Sequence, residues 1–185
     1  MNKKIAIIYD NKKCFTNEIS KYIEIGIREK KNIKTYKYDS SYAAKNINIL
    51  NDNDGIIIGS PTYFGNVSAN IKKFMDSSLK VWQERKWKNK VSAGFTHSYS
   101  LNGDKLNTLM SIFLFAQQHG MIWKGLDLKS NENIMGKNLN SMGSWVGLMV
   151  KYWNIGNNEE ENCNNKETAK YFGRSIAKLV NDINL

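Results

Sequence analysis

The residues whose types and spacing could do chemistry centre on one stretch, Gly55-Ile-Ile-Ile-Gly-Ser-Pro-Thr-Tyr-Phe-Gly-Asn66. A β-branched run stops at Gly59-Ser60-Pro61, and two aromatics and a Gly-Asn pair then lead into a helical pattern beginning near Val67. Pro61 fixes φ and cannot donate to a sheet ladder, so it ends the strand and stiffens the loop after it. Gly65 lets the backbone approach a flat ligand or adopt positive φ. In an open parallel sheet, a loop leaving the carboxyl end of a central strand is where a ligand sits. The chain has two histidines, His97 in Thr96-His-Ser-Tyr-Ser-Leu-Asn-Gly103 and His119 in Gln118-His-Gly-Met121. His119, near the end of a helical pattern, could simply complement the negative pole of that helix. Cys14 and Cys163 lie far apart in polar segments and match no metal-ligand spacing, so free thiols are expected.

The elements that must position these residues follow from periodicity. Lys3 to Tyr9 is a nearly continuous apolar run, as expected of a strand buried on both faces of a parallel sheet. Ile19, Ile23, Gly26 and Ile27 fall at helical spacing, with Thr16 or Asn17 as N-cap. Residues 33–38 alternate and suit an edge strand; Ile47 to Leu50 suggests a short helix before the central strand at 55–59. Val67, Ile71, Phe74 and Ser78 mark the inner stripe of a third helix. Residues 91–95 form a fourth strand, and Leu106, Leu109, Met110, Phe113 and Ala116 give a long fourth helix ending at Gly120. Residues 121–123 begin a fifth strand, 129–140 are polar and irregular, and Trp145 to Tyr152 could resume the strand after an insertion. The Glu159-Glu-Glu161 run reads as a solvated loop. Ala169, Phe172, Ile176, Leu179 and Ile183 line a last helix, with Asn164 and Glu167 as a capping box. Strands alternating with helices imply βαβ crossovers, hence an α/β fold with a parallel sheet covered on both sides.

At 185 residues the chain fits one domain, residues 1–185, with no repeat and no linker. The first apolar run is too short for a signal sequence or a membrane span, so a cytoplasmic protein without membrane association is expected. Twenty-seven basic against 17 acidic residues give a net charge of +10, which favours anionic partners in general. The lysines are spread along the chain apart from Lys86-Trp-Lys-Asn-Lys90, and no nucleic-acid-binding module or aromatic-interleaved basic strip is visible. No nucleic-acid partner is expected. The charge reads either as a solvated surface or as a basic mouth for phosphorylated cofactors.

Ser60-Pro-Thr-Tyr-Phe-Gly-Asn-Val-Ser68, followed by Phe74-Met-Asp76, closely resembles the flavin loop of flavodoxin-like NAD(P)H:quinone oxidoreductases, the WrbA-like group. Trp82, the Lys90 to Phe95 strand with its polar turn, and residues 118–121 fall at that group's spacing. The resemblance implies a flavodoxin-like three-layer α/β/α sandwich with a five-stranded parallel sheet in the order 2-1-3-4-5. It places FMN at the switch point between the first and third strands. By this resemblance the first loop, Asp10 to Thr16, should hold the FMN phosphate through Asn11, Lys13 (or Lys12), Cys14, Phe15 and Thr16. Asn11 replaces the usual first hydroxyl residue, however, and Cys14 the usual glycine. Pro61, Thr62, Tyr63, Phe64, Gly65 and Asn66 would meet the isoalloxazine. Thr96, His97, Ser98, Tyr99, Ser100 and Asn102 would form the turn beside the flavin and nicotinamide, with His97 facing either the pyrimidine edge or solvent; Tyr99 and Leu101 stand where small residues are commoner. Gln118 stands where the group has a histidine that approaches the flavin; an amide can hydrogen-bond but supplies no titratable proton. Trp82 would border the quinone or nicotinamide slot, often across a subunit interface, or else cover a sheet edge.

The resemblance therefore implies an FMN-dependent oxidoreductase passing hydride from NAD(P)H to a quinone or similar acceptor, as a homodimer or homotetramer. Residues 82–90 and 129–143 are the expected contact surfaces. No side chain is expected to act as catalytic acid or base, and no metal is expected. A flavodoxin-like electron carrier and a flavin-free interaction protein on the same scaffold are the alternative readings.

Overall fold

Alternation along the central strands decides the two layers of core. In β1 (Lys3–Tyr9), Ile5 and Ile7 face one side of the sheet, and Ala6 and Ile8 face the other, all fully buried. The same split recurs in β3 (Gly55–Pro61), with Ile57 on the first face and Ile56 and Ile58 on the second. This computed structural model describes residues 3–11, 14–151 and 159–183. Lys12, Lys13, the Cys14 side chain and Tyr152 lie outside the described residues.

The sheet runs β2 (Ile33–Asp39), β1, β3, β4 (Val91–Ser98) and β5 (Ile122–Trp123), every pair parallel. This is the expected 2-1-3-4-5 order, but the fifth strand comes in two pieces. β5 pairs Val91 and Ser92 at the start of β4, while β8 (Leu148–Lys151) pairs residues 95–98 at its end. Between them, the stretch expected to be irregular contains an antiparallel hairpin, β6 (Glu132–Ile134) and β7 (Lys137–Leu139), seated on the last helix through Asn140 N–H donating to Thr168 Oγ1.

One face of the sheet is covered by α1 (Cys14–Arg28) and α6 (Glu159–Asp182). These helices touch backbone to backbone: a Cβ on Gly26 would lie 1.9 Å from the Lys170 carbonyl oxygen, and one on Gly173 2.1 Å from that of Ile23. The other face carries α2 (Ser40–Lys45), a 3₁₀ turn at Ile47–Leu50, α3 (Ala69–Ser77), α4 (Leu79–Gln83) and α5 (Lys105–Gln118).

Several boundaries differ from the sequence expectation. α1 begins before Thr16 and Asn17, because Thr16 turns inward to a partner on β4 instead of capping. The Glu159 to Glu161 run is the first turn of α6, where acidic side chains complement the positive helix pole, so Asn164 is interior to the helix and no capping box forms there. The inner stripe of α5 is Lys105, Thr108, Leu109, Ile112, Phe115 and Ala116; Leu106 is half exposed. Among the described residues, no helix is long and apolar enough to cross a membrane.

Candidate functional site

Three chain segments meet at the carboxyl end of the sheet. The first is the end of β1 with the start of α1. Here Asp10 is 2% exposed and accepts from Asn70 Nδ2 at 3.1 Å, tying β1 to α3. Asn11 is exposed, whereas Phe15 and Thr16 are interior. Thr16 Oγ1 lies 2.9 Å from His97 Nε2, and the Phe15 ring meets the His97 ring edge-on at 4.8 Å. Phe15 and Thr16 thus hold the first and third segments together instead of presenting side chains to a ligand. His97 is likewise neither in a turn nor solvent-facing: it belongs to β4, opposite Pro61, and is 6% exposed.

The second segment carries the loop after β3. Tyr63 and Asn66 exchange backbone hydrogen bonds of 3.0 Å in both directions, and Phe64 and Gly65 between them have φ of 48° and 69°. That is a two-residue turn of type I′, which explains why glycine stands at residue 65. Phe64 at its tip is fully exposed, and Tyr63 is 37% exposed. Two side chains of α5 hold the turn: Asn107 Nδ2 donates to the Gly65 carbonyl at 2.7 Å and Ser111 Oγ to Asn66 Oδ1 at 2.9 Å.

Behind the turn runs a directional relay of hydroxyls. Thr96 Oγ1 donates to the Ser60 carbonyl at 2.7 Å, so it accepts from Thr62 Oγ1 at 2.8 Å, which in turn accepts from Thr108 Oγ1 at 2.9 Å. The relay joins β3, β4 and α5. The hydroxyls of Thr62 and Thr96 are engaged within it, and Pro61 is buried in its strand, so these three position the loop from behind.

The third segment is residues 98–104. Ser98 is half-buried; Tyr99, Ser100, Leu101 and Asn102 are exposed. Under them lies a residue the sequence reading missed: Lys105, fully buried, whose Nζ donates to Ser98 Oγ at 2.9 Å and to the carbonyls of Ser100 and Leu101 at 2.7 and 2.8 Å. Burial, reinforced by Lys151, lowers its pKa to about 8. The usable signal was a polar pair, Lys105 and Thr108, three residues apart at the start of an apolar helix, where a purely structural stripe would carry hydrocarbon.

Gln118 and Trp82 are not brought to this cluster within the chain. They sit together at the far end of α5, where Trp82 Nε1 donates to the Gln118 carbonyl at 3.0 Å. Helix rise alone puts that point about 20 Å from the start of α5. An open groove of about 1230 Å³ connects the two places, lined by Tyr63 and Phe64 at one end, Leu79 and Leu114 midway, and Trp82 and Gln118 at the other. His119 lies at its floor. Ser78 Oγ donates to the Met75 carbonyl at 2.7 Å, so it accepts from His119 Nε2–H at 2.9 Å, and Nδ1 has no partner among the described residues. Burial first, and Arg85 second, lower the His119 pKa to about 4, so the imidazole is neutral at pH 7. Trp87 and Lys90 turn into the fold, stacked on Phe74 and bonded to the Asn51 and Asn53 carbonyls respectively, which removes them from the expected contact surface.

The sheet order and the loops converging on its carboxyl end define a flavodoxin-like protein with a flavin-type site. The family described as NADPH-dependent FMN reductase matches residues 18–125. The flavodoxin FldP of Pseudomonas aeruginosa is 35% identical over 133 residues, 71% of this chain and 72% of that protein. An NAD(P)H dehydrogenase (quinone) of Archaeoglobus fulgidus is 35% identical over 131 residues, 71% of this chain, and the chain spans 61% of that relative's length. The crystal structure of the flavodoxin, WrbA-like protein from Agrobacterium tumefaciens superposes with a TM-score of 0.75 at 28% identity, over 97% of this chain and 98% of that one. The chain belongs to the NADPH-dependent FMN reductase family.

The residues present fit the ring of FMN. The N–H groups of Phe64 and Gly65 donate to no group among the described residues and stand at an exposed turn beside Tyr63, a donor set suited to the carbonyl edge of a flat heterocycle. On the phosphate side, Asn11 is exposed beside the start of α1, whose N-terminus favours anions.

Proposed function

We propose that the chain is a cytoplasmic oxidoreductase that binds FMN and passes two electrons from NAD(P)H to a quinone-like acceptor, working as a homodimer or homotetramer. The observation that carries the reading is the exposed type I′ turn at Tyr63 to Asn66, whose Phe64 and Gly65 N–H groups donate to no group among the described residues, at the carboxyl end of a central strand in a chain of this family. Its relative from Archaeoglobus fulgidus bears the name of such an enzyme. FMN, when bound, supplies the site that takes up and gives back a hydride. The chain contributes binding, orientation and electrostatics. The Phe64 and Gly65 N–H groups hold the ring edge, Tyr63 packs near it, and Asn11, Lys13, Cys14 and the first turn of α1 take the phosphate. Residues 98–102 cover the opposite side and the hydroxyl relay fixes the loop against drift. Neither His119, which is neutral and committed to Ser78, nor Gln118, which cannot titrate, serves as a proton donor.

Fluorescence titration of the apoprotein with FMN tests the cofactor, followed by quinone reduction with NADH or NADPH. Saturable quenching with turnover supports the reading. No binding refutes it. Binding without quinone turnover favours an electron carrier, a second reading supported by the relative named flavodoxin.

Association of copies is proposed from the groove. It exceeds the usual size of a small-molecule pocket and exposes Phe64, Leu79, Trp82 and Leu114 to solvent. Trp82 and Gln118 lie about 10 Å along α5 beyond Ser111, the anchor of the turn, and a second copy seated on the groove would bring its own flavin loop toward them. Leu114→Asp is expected to shift the sedimentation coefficient to that of a monomer; a wild type that is already monomeric with FMN bound would sink this part.

A further inference from the structure

We propose that Lys105 sets the preference of this site for reduced over oxidised FMN, acting through the 98–104 loop as a positioning residue and through its charge. The inference rests on the proposed function and deepens it. Lys105 is fully buried, and its three acceptors are a hydroxyl and two carbonyls, none of them charged. The charged neighbour that acts on it is Lys151, of like sign, at the end of β8 opposite Ser98. Among the described residues this buried ammonium has no counterion within ion-pair distance, which is costly, and its field extends furthest where no water intervenes. Whatever anion settles at the loop gains from it.

The bonds of Lys105 also orient the backbone. In a planar trans peptide the C=O of one residue and the N–H of the next point in opposite directions, and no cis peptide occurs among the described residues. Drawing the Ser100 and Leu101 carbonyls inward therefore turns the N–H groups of Leu101 and Asn102 outward. Both residues are exposed, and neither N–H donates to a group among the described residues. One buried cation thus presents two adjacent donors on the ligand side of the loop, with a uniform positive sign. A hydride from NAD(P)H brings two electrons and one proton, and leaves the flavin ring with one negative charge that the oxidised ring lacks. Lys105 and the two N–H groups stabilise that added charge more than the neutral ring.

The test is the affinity of the apoprotein for oxidised FMN and, under anaerobic conditions, for dithionite-reduced FMN, in wild type, Lys105→Met and Lys105→Gln. Wild type is expected to bind the reduced form more tightly. Both variants are expected to lose about tenfold in the reduced-to-oxidised affinity ratio, equivalent to a fall of about 30 mV for a two-electron couple. Lys105→Gln, which keeps a donor to the loop, is expected to retain the affinity for oxidised FMN within about twofold, separating the charge from the tether. An unchanged ratio in a folded variant overturns the proposal. So does a wild type that prefers oxidised FMN, whether or not either variant folds. Failure of wild type to bind either form instead refutes the proposed function, and this inference with it.

Discussion

His119 shows how one side chain can look functional in a sequence and be structural in the fold. It is packed against the rings of Trp87 and Phe115, with centroids 4.5 and 4.7 Å away, and is 3% exposed. The unfolded chain takes up a proton there near pH 6.5 and the folded one only near pH 4. The stabilisation is therefore complete above about pH 6.5 and is lost as the pH falls toward 4, by at most roughly 3 kcal/mol. Denaturant unfolding between pH 4 and 7.5 is expected to show this slope in wild type and to show it flattened in His119→Phe. At this scale the sequence was an uneven guide. The 61–66 loop was legible, because proline, glycine and paired aromatics have local meanings. The fates of Thr16, Thr62, Thr96 and His97 were not, because their hydrogen-bond partners lie 81 residues away for the Thr16 and His97 pair and 34 for the Thr62 and Thr96 pair. Spacing cannot tell a hydroxyl aimed at a ligand from one aimed at another strand.

Among the elements, the strands were read best, since continuous apolar runs leave little choice in a two-faced sheet. Helix starts were read worst. Polar residues near a helix end look like caps whether they cap, as Ser68 does for Ile71 N–H, or are buried further along, as Asn164 is. Of the α5 stripe expected from spacing, Leu109 and Ala116 are buried, while Leu106 is half exposed and the rest of the inner face belongs to Lys105, Thr108, Ile112 and Phe115. The α1 and α6 contact leaves a sharper mark, since each helix contributes a glycine at the point of closest approach. Gly173→Ala would force a methyl into the Ile23 carbonyl, so the pair must separate. The expected cost is about 2 kcal/mol or more, read as a lower guanidinium midpoint with an unchanged slope. A change below about 0.5 kcal/mol would mean that the helices separate at little cost.

For the molecule as a whole, the +10 net charge predicts that FMN binding weakens several-fold between about 50 and 500 mM salt, as screening removes long-range attraction for a phosphate. A salt-independent affinity would assign the charge to the surface at large. Alternation of elements made the parallel sheet legible, and its 2-1-3-4-5 order came through the family resemblance. The break in the fifth strand was legible only as an insertion, and its hairpin was not, since β6 and β7 are three residues each and polar. That break has a practical consequence. β5 and β8 dock on β4 separately, and the hairpin between them turns at Met135 and Gly136, the first almost wholly exposed and the second with open space where a Cβ would lie. The polypeptide can thus be divided there without removing any strand from the sheet. Fragments 1–135 and 136–185 are expected to reassemble when mixed. Every loop proposed to touch flavin belongs to the first fragment, while β8 and α6, which complete the sheet edge and cover one face, belong to the second. Flavin quenching that appears only on mixing would make this chain a two-part reporter, whose signal measures the meeting of its halves.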